Sequence, residues 1–237
     1  MSTRLSAWAA EAVNLPEHAD NPVHTDAGAV AAGFAAALVA GTTIHVYLTH
    51  PPAAAWGTAW LDQGWSELKL IAPVMDRERV VVNPIEGSVV EARVGGQLRA
   101  TLAVALSAPD PKPADRPALK VHDTLRIDLA ERLGDYGIRA GDDLELYTRE
   151  QRAHPAVWSC LGNTVTRAFH VDGPWVHVRS TITHLGPVAA NAVVELRSAL
   201  VDRFESRAGG RVVVDIEACV DGRAVARIEH ESIVRLN

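Results

Sequence analysis

The chain has little that would place it among metal, redox, membrane or nucleic-acid proteins. It holds two cysteines, Cys160 and Cys219, and their separation matches no metal-ligand spacing, so reduced thiols are expected rather than a zinc site or a disulfide framework. No stretch reaches the roughly 18 consecutive apolar residues that a membrane-spanning helix requires. Met1 to Leu5 lacks the apolar core of a signal peptide. Basic runs and basic amphipathic helices are missing, and the net charge is −6, which argues against nucleic acid or an acidic membrane surface as a partner. A cytoplasmic protein is the expectation.

What is present is core-forming material and a duplicated pattern. Of the 237 residues, 48% are hydrophobic and 22% charged, enough for one large or two ordinary domains. The first half reads as an apolar helix from Asp26 to Leu48, followed by strands at Ser66–Ile71, Arg79–Asn83, Ser88–Val94 and Leu98–Leu106. The second half repeats that order, with a helix at His154–Phe169 and strands at Trp175–Ile182, Ala192–Phe204, Arg211–Val220 and Arg223–Val234. Ala72-Pro73-Val74 echoes Gly186-Pro187-Val188. Gly95-Gly96 and Asp221-Gly222 occupy equivalent places, and both are two-residue hairpin signals.

Between the halves, residues 107–117 carry four prolines. Proline lacks the amide hydrogen that helices and ladders use, so this stretch reads as an extended linker. The expected domains are 1–106 and 118–237, with a strand-like start at Leu125, Ile127 and Leu129 and a turn-rich segment at Gly137–Asp143. The fold class is α+β, two copies of a helix packed on an antiparallel sheet.

The segment Asn21-Pro22-Val23-His24-Thr25-Asp26, followed by Gly33-Phe34 and Leu38-Val39-Ala40-Gly41-Thr42, resembles the MaoC-like hydratase/dehydratase family, relatives of the (R)-specific enoyl-CoA hydratases. Gly173-Pro174-Trp175-Val176-His177-Val178 in the second half is similar to that family too. The resemblance covers most of the chain and implies a double hotdog, two central helices each wrapped by an antiparallel sheet. It also implies addition or removal of water at a 2-enoyl or 3-hydroxyacyl thioester, carried by CoA or an acyl carrier, with no cofactor and no metal. Pairing as a homodimer or with another hotdog subunit is left open.

The resemblance assigns His24 and Asn21 to the chemistry and makes Gly41 the residue whose N–H binds the thioester oxygen, with Thr42 and Phe34 beside it in the substrate site. It expects an Asp five residues before the histidine, where this chain has Ala19. Asp20 is the nearest replacement, and a catalyst weakened by the lost carboxylate is expected. A non-catalytic thioester-binding or partner subunit is the alternative, and thioester hydrolysis a third. Taken on their own, these residues also have plainer uses. Asn21 suits an Asx turn before Pro22, Asp26 a helix N-cap, and Gly41 tight helix-to-sheet packing.

The remaining candidates read as structure. His18 lies outside the motif, and His18, His24, His45 and His50 lack metal-ligand spacing. Cys160 has no partners arranged for a nucleophile, so it reads as an ordinary buried cysteine. The tryptophans read as core or tunnel wall. The second half, without a hydratase motif, gives shape and part of the acyl or CoA channel.

Overall fold

The computed structural model describes residues 4–86, 88–109, 125–171 and 173–236. Among the described residues, ten strands join one antiparallel sheet in the order β1-β3-β4-β5-β2-β7-β10-β9-β8-β6. In the first half these are β1 (Trp8–Glu11), β2 (Trp65–Leu70), β3 (Arg79–Ile85), β4 (Val89–Val94) and β5 (Gln97–Ala105). The second half holds β6 (Leu125–Asp128), β7 (Val176–His184), β8 (Val193–Ser206), β9 (Gly209–Val220) and β10 (Arg223–Leu236). The two five-strand orders are the same pattern, joined at a seam where β2 pairs with β7 from Trp65↔Thr183 to Lys69↔Arg179.

The repeat extends to small details. Val39 N–H donates to Val74 O at 2.8 Å, and Ala153 N–H donates to Val188 O at 2.9 Å. Isolated bridges Leu38↔Met75 and Arg152↔Ala189 match in the same way. At the hairpins, Gly95 and Gly96 have φ of 55° and 80°, and Asp221 and Gly222 have 49° and 75°. Both turns thus place two residues in the left-handed region, as a two-residue hairpin matching the sheet's twist requires.

The helical reading of Asp26–Leu48 needs correction. A short helix, α1 (Asp26–Ala31), stops before Gly33 at φ 87°, and the central helix α2 (Gly41–Gln63) starts only after an extended passage, with a break at Gly57 (φ 56°). Residues 38–39 are spent on pairing with Val74 and Met75, which takes their backbone out of helical geometry. The cap of α1 is Thr25, whose side chain accepts from Gly28 N–H at 3.2 Å, not Asp26. Asp26 stands in the first turn and accepts from Ala37 N–H at 3.1 Å. The second central helix, α6 (Val157–His170), follows three short helices, α3 (Leu129–Leu133), α4 (Tyr136–Arg139) and α5 (Leu146–Arg149). From residue 110 onward the proline-rich linker lies outside the described residues.

Two apolar cores result, one under each half. The first contains Val46, Leu48, Trp60, Leu68 and Val82, and residues beyond the linker complete it: Tyr136, Ala140, Tyr147, Ala156 and Cys160. The second gathers Trp158, Leu161, Ile182, Ile216 and Ile228. Among the described residues no helix is long and apolar enough to cross a membrane.

Candidate active site

A cavity of about 710 Å³ lies where α2, α6 and β7 meet, with the loop before α1 along one side. This size and a mainly aliphatic wall suit a small organic ligand. The first half supplies Val23, Phe34, Leu38, Ile44 and Leu70, and the second Ile127, Leu161, Val176 and Ile233. All six residues singled out from the motif line it: Asp20, Asn21, His24, Phe34, Gly41 and Thr42. Their roles diverge once hydrogen bonds are followed.

His24 ends a single turn of 3-10 helix at Pro22–His24. Its Nδ1–H donates to Leu38 O at 2.7 Å. A carbonyl can only accept, so Nδ1 carries the ring proton and Nε2 is left as the basic nitrogen. Burial pulls the imidazole below its ordinary value and the bond to Leu38 partly restores it. Neutral His24 is therefore the form present at pH 7, ready to take a proton.

Asn21 and Asp20 are committed to the scaffold. Asn21 is buried, donates through Nδ2 to Trp175 O at 2.8 Å and accepts from Trp175 N–H at 3.4 Å. Both ends of its amide thus fasten the loop to the start of β7. Asp20 sits exposed on the rim, and its Oδ2 accepts from Arg167 Nη1 of α6 at 2.8 Å. The carboxylate expected to stand in for the missing Asp is thus engaged by an arginine at the cavity rim. Ala19 is exposed and outside the cavity wall, because it closes the 3-10 turn Pro16–His18 with its backbone.

The residue that meets His24 is His18. The two rings lie 5.5 Å apart between centroids, and both line the cavity. His18 Nε2 lies 2.9 Å from Tyr136 Oη, and that phenol is also 2.8 Å from Thr42 Oγ1 and 3.0 Å from Thr43 Oγ1. Arg139, on the same short helix as Tyr136, pairs with Glu17 at 2.7 Å. Burial, followed by the charge of His24, pulls His18 down to about 4. Burial holds Tyr136 well above the ordinary phenol value, so it stays a hydroxyl. Sequence reasoning passed over His18 because it stands outside the motif spacing; its neighbours in the chain gave no sign of a tyrosine 118 positions away.

Gly41 is the first residue of α2, where helical N–H groups have no partners within the helix. A Cβ there would collide with Leu70 Cδ1 and come within 3.1 Å of His177 Nδ1. Glycine at this place therefore serves close packing, and it also leaves the helix N-terminus open to the cavity. His177 forms the far wall and heads a buried chain: Nε2 to Ser180 Oγ at 2.8 Å, Ser180 Oγ to His230 Nδ1 at 2.8 Å, and His230 Nε2 to Asn163 Oδ1 at 3.1 Å.

Cys160 also borders the cavity, and burial pushes its thiol up to about 12, far from a reactive thiolate. Both cysteines are free. Elsewhere, among the described residues, His50, Asp142 and Asp143 bring three possible ligand atoms within 4.8 Å of one another. Their bonds are already internal: His50 Nε2 lies 2.8 Å from Asp143 Oδ1, and Asp142 accepts from His154, Tyr147 and Leu144 N–H.

No protein-family model matches the chain, and no curated protein sequence matches it. Solved structures do. A MaoC-like dehydratase is 15% identical, with 98% of each chain covered and a TM-score of 0.58. A conserved Mycobacterium tuberculosis protein with a double hotdog fold is 12% identical over 98% of this chain and 96% of its own, TM-score 0.59. A provisionally assigned oleoyl thioesterase from Lactobacillus plantarum is 10% identical over 99% and 98%, TM-score 0.55. Likeness over the full length at such identities establishes the architecture. The chain is a double hotdog, the fold in which MaoC-like dehydratases are also built.

Proposed function

We propose that this protein is a MaoC-like hydratase/dehydratase acting on a 2-enoyl or 3-hydroxyacyl thioester. One observation carries the reading: a neutral histidine whose basic nitrogen is fixed by its backbone bond, on the same apolar cavity as the open N-terminus of α2. Addition requires a base, a place for developing negative charge, and a dry channel for the acyl chain. His24 Nε2 takes a proton from water as its oxygen bonds to C3. The π pair moves through C2 to the thioester oxygen, where the Gly41 N–H and the partial positive charge of the helix end stabilise it. The imidazolium then returns its proton to C2. Dehydration is the same path reversed.

The likeness to structures of thioesterases as well as dehydratases makes hydrolysis the second reading, since the same water could attack the thioester carbonyl. A single assay separates the outcomes. With crotonyl-CoA, hydration removes the absorbance of the conjugated thioester without releasing thiol, whereas hydrolysis releases free CoA thiol. Hydration is expected, with His24→Ala lowering kcat/KM by about 100- to 10,000-fold, the usual contribution of a positioned acid–base group. Thiol release alone would establish the thioesterase reading. Binding of the thioester without either change would make the protein a carrier or partner subunit.

A further inference from the structure

We propose that His18 holds the reacting water against His24, as a donor whose tautomer is set by Tyr136. This rests on the hydratase/dehydratase reading above. The hydrogen-bond partners gathered around Tyr136 point to that tautomer. Thr42 and Thr43 are completely buried, and each hydroxyl has one hydrogen to place. The oxygen acceptor within reach of both is Tyr136 Oη, at 2.8 and 3.0 Å, and the Cys160 sulfur against Thr42 is a weaker acceptor. Two donated hydrogens fill both lone pairs of the phenol. Its own hydrogen then goes to His18 Nε2 at 2.9 Å, a stronger acceptor than the Cys160 sulfur that Tyr136 also reaches. A neutral ring that accepts at Nε2 carries its proton on Nδ1.

The pair is thereby complementary. His18 presents an N–H, and His24, whose own Nδ1–H is spent on Leu38, presents a lone pair. Ring centroids 5.5 Å apart on one cavity wall bring the two rings within reach of a shared water, placed in this proposal as acceptor to His18 and donor to His24. Its remaining lone pair is left for C3. His18 keeps its proton throughout, so the proton balance still runs through His24 alone. Tyr136, acting through His18, is a positioning residue, and Thr42 and Thr43 position Tyr136 in turn.

Histidine nitrogen NMR of the intact protein tests the donor assignment without reference to turnover. His18 is expected as the Nδ1–H tautomer, moving toward a mixture in Tyr136→Phe. Kinetics test the role. His18→Leu is expected to lower kcat about 100-fold with little change in KM. His18→Asn places an amide N–H near the position of Nδ1–H and should retain about tenfold more kcat than His18→Leu. These half-buried substitutions keep the test sound if Tyr136→Phe fails to fold. A His18 protonated at Nε2, or full turnover in His18→Leu, overturns the proposal. A wild-type protein with His18 protonated at Nδ1 but no hydration overturns the functional reading instead, and with it the water's role.

Discussion

At the scale of single residues, the site is a matter of which neighbours each side chain has already engaged. Asn21 and Asp20 carry the right chemistry, but their polar atoms are bound to Trp175 and Arg167. Ala19, where the resemblance expects a carboxylate, faces solvent. Ala19→Asp should therefore leave crotonyl-CoA turnover within about twofold of wild type, since surface changes away from special features seldom perturb a fold; a large gain would show that the loop can turn residue 19 inward. The pH dependence has a definite sign. The base proposed above works when neutral, and burial holds His24 below the ordinary value of 6.5. A profile of kcat/KM should be flat above pH 7 and fall only in a limb below 6.5. That His24 and Gly41 line one cavity was legible in the chain because a local motif carries both. The place of His18 was not: its partner Tyr136 is brought in by the fold across the linker.

At the scale of elements, the loop of residues 16–24 belongs to the second half as much as to the first. Glu17, His18, Asp20 and Asn21 are held in turn by Arg139, Tyr136, Arg167 and Trp175. Asn21→Ala removes the most buried of these ties and should cost about 1–3 kcal/mol, measured as a lower midpoint in urea. Faster amide exchange should appear in residues 16–24 before the rest of the first half. The strands were readable because apolar alternation and two-residue turns are local signals, and all but the short β1 (Trp8–Glu11) were located within a few residues. The helix boundary was not. Ala-rich apolar sequence from Asp26 onward suits a helix as well as an extended segment, and only pairing of Leu38 and Val39 with Val74 and Met75 decides against the helix.

At the scale of the molecule, the interior between the two halves is unusually rich in imidazole. Burial holds His177 down to about 3 and His184 to about 4, and His45 and His230 well below the usual value. The unfolded chain binds protons at these groups near 6.5, and the folded chain does not. Stability is therefore fully present above about pH 6.5, declines as the pH falls below it, and is lost further until the folded values near 3 to 4 are reached. Urea melts at pH 7.5, 6.0 and 5.0 should show decreasing midpoints; an unchanged midpoint would mean these rings gain partners on protonation.

Duplication also gives the chain two helix approaches of the same form, one leading to Gly41 and one to Val157. The first opens on the cavity. The second is filled, with His154 donating to Asp142 at 3.0 Å and Tyr147 donating to the same carboxylate. The consequence is one of stoichiometry. Titration of the protein with a saturated acyl-CoA should reach its end point at one molecule per chain, and the doubled architecture would bind as a single-site receptor.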